Sequence, residues 1–579
     1  MKQITKISLG LIVAFTMLNS CTKEFLDKKP KGVANIESLD PQSLLIGAYA
    51  SMSGGSSTTN QNYSGAASVR NWAWDCASDD AYKGTSAGDT KEVEEIEQYI
   101  APATNPWIYG KWFVGYDGIS RANDVLKALA LKRNNMDEKE ALQIEAQARF
   151  IRAWWHFRLQ QMYWQIPYIT DSVADPAKVK NDHLVWPEIE NDFQFAINNL
   201  PDKWPGEPGK ATKWAAMGYQ AYVYLFDKKY SNAKSLLDDI ITSGRFDLVS
   251  NFKDNYTVET ENNKESLFEI QSAVNDGDDR PRNGNPDSWV TNPSNRYLPT
   301  CCGLYQPSQD LVNAFKVNLD GLPLLGIIGP KYNEVNLEND MGLSSNQEFV
   351  PTDQLVDPRL DWTVGRRGIP YLDWGVQTGA DWIRSQPYGG PYNNQKQMFY
   401  KFDRAIASDA NFARATAINF RALRYAHILL WRAECAVEEN DLQTALDLIN
   451  KVRKRASNVV VMGNVSTHIF DGRTINVDYS KPAANYLVGE YNSFPNQEYA
   501  RDAVRMEERL EFAMEGFRFF DLVRWNIADK VLNEYIQNES KFRPLMQGTQ
   551  FIKSKNDHWP IPQTQIDLEP GILEQDPNY

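Results

Sequence analysis

Apolar positions recur at helical spacing in several stretches of the chain. Residues 109–131 form one stretch, 138–163 a second and 186–200 a third. The second carries Phe150, Trp154, Phe157 and Leu159 among its apolar positions. Two later segments repeat each other. Ala221 is followed twelve residues on by Ala233, then Leu236 and Leu237. Ala433 is followed at the same spacing by Ala445, then Leu448 and Ile449. Each segment reads as a helix, a short polar turn (227–229 or 438–441) and a second helix. Small residues at these positions let antiparallel helices approach closely. Such pairs are of the tetratricopeptide type and must stack, because none buries its faces alone. The expected fold class is mainly α: a tetratricopeptide-like helical repeat scaffold with long irregular, aromatic-bearing loops. The helix pairs fall near 109–243 and 421–456.

Between these units the pattern changes. Residues 251–420 are rich in Gly, Pro, Asn, Asp and aromatics, with turn signals at Asn283-Gly284, Asp320-Gly321 and Gly389-Gly390-Pro391. An irregular stretch of this length is usually functional or disordered. Its tryptophans and tyrosines argue against disorder. Residues 51–90 and 457–500 have the same character. The ligand region is expected near 51–110 and 251–420.

The chain opens on a basic head, Lys2 and Lys6, then an apolar run from Ile7 to Leu18, then Asn19, Ser20 and Cys21. That run is too short for a bilayer span, which needs roughly 20 apolar residues. It reads as a secretory signal over residues 1–20. A cysteine directly after the small residue marks a bacterial lipobox, so Cys21 is the expected lipidated N-terminus of a body covering 21–579. Acyl chains contribute roughly 0.8 kcal/mol per buried CH₂, enough for several to hold a protein at a membrane. Residues 22–32 form a polar tether.

The net charge of −14 argues against nucleic acid and anionic headgroups as partners. The five cysteines do not form a disulfide scaffold. Export places the neighbours Cys301 and Cys302 in an oxidising setting, where a vicinal disulfide and two free thiols both remain open. No Cys or His pair has zinc-ligand spacing, no acidic loop demands calcium, and no phosphate loop appears, so no cofactor or metal is expected.

Gly84-Thr85-Ser86-Ala87-Gly88 has the G-x-S-x-G spacing of a nucleophile elbow. That motif needs a buried strand before it and a helix after it. The preceding residues 78–83 are polar in the main, so a flexible loop is expected. The histidines, His156, His183, His427, His468 and His558, are scattered, and those at 156 and 427 read as structural. Glu507, Glu508, Glu511 and Glu515 share a helix with Arg505, Arg509 and Arg518, where ion pairing at three- and four-residue spacing explains them. A glycosidase-like carboxylate pair is not decided by spacing. The positive signal is aromatic. Seventeen tryptophans are present, and Trp72, Trp74, Trp107, Trp289, Trp362, Trp374 and Trp382 fall outside the repeats. Indole faces cover the C–H faces of sugar rings, and rigid aromatics with polar handles suit recognition surfaces.

Six ordered segments resemble the SusD/RagB family of outer-membrane nutrient-capture lipoproteins. They are Cys21-Thr-Lys-Glu-Phe-Leu-Asp27, Tyr116-Asp-Gly-Ile-Ser-Arg-Ala-Asn123, Glu145-Ala-Gln-Ala-Arg-Phe-Ile-Arg-Ala153, Arg424-Tyr-Ala-His-Ile-Leu-Leu-Trp-Arg-Ala-Glu434 with Ile449-Asn-Lys-Val-Arg-Lys-Arg-Ala456, the run from Glu508 to Trp525, and Trp559-Pro-Ile-Pro562. The resemblance implies a non-enzymatic glycan receptor at the bacterial surface. It would be held in the outer membrane by lipid alone and would deliver oligo- or polysaccharide to a SusC-like TonB-dependent transporter. A peptide or protein receptor of the same family is the alternative, and a surface glycosidase a more distant one. Cys301-Cys302, with 307–315 and 357–360, looks like a subgroup some of whose members bind fructans. That likeness implies ligand contacts at Trp72, Asp80, Trp107, Cys301, Cys302, Arg384 and Tyr392, with Trp382 and Tyr388 as second choices. Trp107 would stack, Arg384 and Asp80 would bond hydroxyls, and the cysteine pair would offer a rigid contact.

Overall fold

The computed structural model describes residues 38–53, 71–277, 283–285, 287–291, 293, 302–411, 415–472 and 474–579. The expected signal peptide, Cys21, the tether and Cys301 lie outside the described residues.

The body is mainly helical. Helix α1 spans Pro41–Met52, α2 Trp72–Asp75, α3 Lys91–Glu97, α4 Pro106–Lys132 and α5 Glu138–Tyr163. Then follow α6 Trp186–Asn199, α7 Lys213–Phe226 and α8 Tyr230–Thr242. After the loop region come α9 Gln309–Ala314, α10 Tyr425–Glu438, α11 Leu442–Ala456, α12 Gln497–Phe512, α13 Arg518–Arg524 and α14 Ala528–Glu539. Consecutive helices from α4 to α8 pack on one another, α8 meets α10, and α10 packs on α11 and α12.

Local chemistry sets these helices. Asn105 caps α4, accepting N–H bonds from Trp107 and Ile108 at 2.9 and 3.4 Å, and Pro106 at the first position has no N–H to leave unpaired. Asp137 caps α5 by accepting from the Glu140 N–H at 3.1 Å. The last fourteen residues of α5 are almost all buried, so this helix forms the centre of the largest core.

Gly118 lets α4 and α5 meet closely, because a Cβ there would overlap the buried indole of Trp155. That indole donates to Ser51 Oγ at 3.1 Å, so it cannot retreat freely. Alanine in an open helix gains up to about 1 kcal/mol over glycine. Here Gly118→Ala should instead lose about 1–3 kcal/mol through overpacking. A fall in thermal midpoint checks this; a rise would contradict it.

The two repeat segments fold alike. Turns of three residues join α7 to α8 and α10 to α11, with a left-handed residue at Lys228 (φ 57°) in one and Asn440 (φ 61°) in the other. The closing bonds match: Lys229 N–H to Tyr224 O and Asp441 N–H to Ala436 O, both 2.8 Å. Ala221, Ala233, Ala433 and Ala445 are fully buried, as the close approach requires. The fold is therefore a tetratricopeptide-like helical scaffold.

The irregular region folds onto this scaffold through two-stranded antiparallel ladders. Strand β1 (Ala81–Gly84) pairs with β3 (Leu304–Pro307), and β2 (Ser266–Ile270) with β6 (Phe420–Arg424). Strand β4 (Val364–Gly365) pairs with β5 (Asn393–Asn394), and β7 (Met462–Val465) with β8 (Val477–Pro482). A second hydrophobic core joins β3, α9 and the end of α12 to Trp72 of α2.

Carboxylates of α12 do not pair along their own helix, as their spacing suggests. They are buried and reach across the fold. Glu507 pairs with Arg359 and Arg453, each at 2.7 Å, and Glu508 with Arg524 at 3.2 Å. Glu511 meets Arg359, Arg424 and Arg455; Glu515 just beyond the helix meets Arg424 and Lys396. The local pairing that spacing suggests is replaced by partners from distant parts of the chain, Arg359 and Lys396 of the loop region among them.

Candidate functional site

Cys302, Arg384 and Tyr388 gather on one surface around the turn 85–90. Strand β1 leads into this turn and α3 leaves it. Four positions shape it: Gly84 (φ 77°), Thr85 (φ 56°), Gly88 (φ 103°) and Thr90 (φ 53°) all have positive φ. At Gly84 a Cβ would overlap Gly303 O and the Gln306 side chain. The Thr85 N–H donates to Gly303 O at 2.7 Å and to Gln306 Oε1 at 3.1 Å, which sets Cys302-Gly303 beside the turn.

Arg384 Nη1 donates to Asp89 Oδ2 at 2.7 Å and to Thr85 Oγ1 at 3.0 Å. Its side chain remains 43 % exposed. Beneath, the buried Lys83 ammonium donates to Ser86 O (3.2 Å) and Asp89 O (2.7 Å) and lies 4.7 Å from the centre of the Tyr388 ring. Burial pulls the Lys83 pKa down while Glu94 and Glu97 oppose it. Tyr388 donates its hydroxyl to Glu94, and burial together with that bond raises its pKa. On the other side of α3, Asn105 Nδ2 donates to Glu92 O and Glu95 Oε2, each at 2.9 Å. Trp107, half-buried, follows directly on α4. Its ring rests edge-to-face on Trp72, with centroids 5.3 Å apart and planes at 80°.

The remaining expected contacts lie behind this surface. Trp72 is fully buried and backs Trp107. Tyr392 is 2 % exposed and donates its hydroxyl to Gln309 Oε1 at 2.9 Å. Asp80, expected to meet hydroxyls, is 1 % exposed and accepts from Arg509 Nε at 2.8 Å. Its carboxylate is engaged inside the protein, where it ties the start of β1 to α12. Its neighbour Asp79 is held the same way: burial would raise its pKa, but Arg509 and Arg518 override this and keep it at about 2. Trp382 is buried against Tyr371, two residues from Arg384. Cys302 is disulfide-bonded, whereas Cys76 and Cys435 are free, buried thiols.

Sequence reasoning read the turn as a flexible loop. The G-x-S-x-G segment is no free loop: a buried strand precedes it and Lys83 pins it from below. It lacks the chemistry of a nucleophile elbow, because among the described residues no histidine hydrogen-bonds Ser86. His156 and His427 are core groups, both held neutral by burial at about 3. The crowding of Gly84, Thr85, Asp89 and Thr90 around an aromatic-poor segment was the available signal. Among the described residues no group of three or more His, Cys, Asp or Glu is placed to hold a metal ion.

Arg384→Ala tests the surface locally. An exposed ion pair contributes about 0.2–1 kcal/mol, so the melting midpoint should hardly move. If this surface binds ligand, affinity should fall about tenfold, on the order of 1.4 kcal/mol by calorimetry. Unchanged affinity would remove Arg384 from the site.

Comparison with known proteins gives a consistent picture. The SusD family profile matches residues 264–579, and one described as starch-binding associating with outer membrane matches residues 24–225. A SusD-like protein of Bacteroides ovatus is 28% identical over 28% of this chain and 32% of its own length, so that match spans about a third of the relative. SusD-like protein P2 of Formosa agariphila is 24% identical over 99% of this chain and 100% of its own. Among solved structures, the surface glycan-binding protein A of Bacteroides thetaiotaomicron, in complex with laminarihexaose, superposes with a TM-score of 0.62. It is 20% identical and covers 93% of this chain and 99% of that one, a likeness of fold.

Proposed function

The chain belongs to the SusD family, and on that premise we propose that it is a surface glycan receptor. It captures oligo- or polysaccharide and delivers it to a SusC-like TonB-dependent transporter. Lipid on Cys21 anchors it in the outer membrane, facing outward; no described helix is long and apolar enough to cross a membrane. The reading rests chiefly on one observation. A partly buried indole, Trp107, is fixed by its helix cap and by Trp72, and across α3 from it hydrogen-bonding groups gather at Arg384, Thr85 and Asp89. An indole face covers the apolar side of a sugar ring, and the polar groups take its hydroxyls. The supporting relatives include a protein whose structure holds laminarihexaose.

Binding here is without turnover. Among the described residues the site's carboxylates are engaged, Asp89 by Arg384 and Glu94 by Tyr388, which ranks the receptor reading above a glycosidase. Incubation with fructans, β-glucans, starch and pectins tests this. Retention on a polysaccharide gel without release of reducing ends is expected; released product would overturn it. Delivery is tested in the producing cell. Cys21→Ala should free the protein from the outer membrane and abolish co-purification of a barrel partner. Retention of both would refute the anchor.

A further inference from the structure

A second cleft of about 740 Å³ lies on the far side of Trp382, lined by Trp374, Trp382, Phe470, Thr378, Asp381 and Lys401 among others. That size is within the ~300–1,000 Å³ usual for small-molecule sites. None of the contacts described above uses it except the edge of Trp382.

Its walls are built rather than loose. Asp373 accepts the backbone N–H groups of Lys401 (2.6 Å) and Phe402 (3.0 Å), which draws that segment against the adjoining Trp374. The Trp374 indole N–H donates to Phe399 O at 2.8 Å, so its ring orientation is set while the ring lines the cleft. On the opposite wall the Phe470 N–H donates to Ser345 O at 2.9 Å, and the Asp381 N–H donates to Ser345 Oγ at 3.1 Å. Phe402, next in sequence to the cleft-lining Lys401 and stacked on Tyr400 with centroids 5.2 Å apart, is 68 % exposed. The Lys401 ammonium and the Trp382 indole N–H have no partner within the described protein. Aromatic faces with donors open to solvent beside them are what a polyhydroxylated ring needs. One ammonium, Lys401, against the carboxylates of Asp381 and Asp471 at the same cleft favours a neutral ligand over a polyanion.

We infer that this cleft, between Trp374, Trp382 and Phe470, is a second contact for a neutral glycan chain. It takes another segment of the chain held at Trp107 and Arg384, and it rests on the glycan reading above. Trp382 and Arg384 are two residues apart, at most about 7 Å of extended backbone, a separation that an oligosaccharide is long enough to span. Two linked contacts raise affinity for a long chain well beyond that for a short one.

The test compares wild type with Asn346→Trp, which fills the cleft mouth from an exposed position, and with Lys401→Ser/Phe402→Ser, which changes only exposed side chains. Each is titrated with a panel of neutral and acidic polysaccharides and with the di- and trisaccharides of the best-bound one. Both variants should bind the long neutral glycan at least tenfold more weakly and leave the short fragments unchanged. Equal affinity of wild type and variants for the long chain would overturn the second contact alone. So would equal loss for long and short ligands, or binding confined to acidic polysaccharides. Wild type that binds nothing on the panel would overturn the glycan reading itself.

Discussion

Glu511→Ala is expected to destabilise the protein by about 3–5 kcal/mol, the usual loss when one partner of a buried ion pair is removed. Glu511 is completely buried and accepts from three guanidinium groups, Arg359 (3.1 Å), Arg424 (3.0 Å) and Arg455. The pairs extend into a closed set: Arg359, Lys396, Arg424, Arg453 and Arg455 against Glu265, Asp357, Glu507, Glu511 and Glu515. Five positive and five negative groups balance, and removing Glu511 leaves one buried positive charge unmatched. Arg455 suffers most, since it keeps only Glu265, at 3.2 Å. Glu511→Gln separates charge from packing and should recover little. Urea unfolding of both variants measures the effect; a change below about 1 kcal/mol would contradict it. The same cluster predicts acid sensitivity. Burial opposes ionisation of Glu515, but Arg424 and Lys396 win and hold it at about 2, below its ordinary 4.5. A depressed carboxyl stabilises the fold above its unfolded pKa, and that stability is lost as pH falls through the folded value. Stability should therefore fall between about pH 4.5 and 2, and less steeply in Glu511→Gln.

Trp107→Ala is expected to weaken glycan binding by at least 2 kcal/mol, about 30-fold, as truncation of a central aromatic contact does. The magnitude comes from preorganisation. The Trp107 N–H is held by the Asn105 cap, its ring leans on Trp72, and Asn105 is itself fixed to α3. Little side-chain entropy is left to lose on binding. Trp107 is partly buried and packs against both large cores, so the thermal midpoint should fall as well, and affinity is compared on the folded protein. Trp107→Phe should restore part of the affinity. Wild-type affinity in Trp107→Ala would dissolve the site.

Local features of the fold were legible in the sequence. The alanines at 221, 233, 433 and 445 announce two close helix pairs, and the structure repeats even their turn hydrogen bonds. Long-range features were not. Glu507 and Glu511 stand at helical spacing from arginines, but their partners lie 54 to 152 residues away, because the loop region covers that helix face. Asp80 fails as a ligand contact for the same reason: only the fold shows that Arg509 occupies its carboxylate. Tryptophan in the sequence does not announce its own burial: Trp72 and Trp107 are neighbours in space, yet Trp72 is fully buried and Trp107 only partly so. The turn 85–90 was hidden because its shape depends on Gly303 and Gln306, more than two hundred residues on.

The glycan-capture account is tested most directly by calorimetric titration of the purified protein against matched panels of oligosaccharides and peptides. Saturable binding to at least one oligosaccharide, lost in Trp107→Ala and without release of reducing ends, is the predicted result. Binding to peptides alone, or cleavage of the bound sugar, would contradict it.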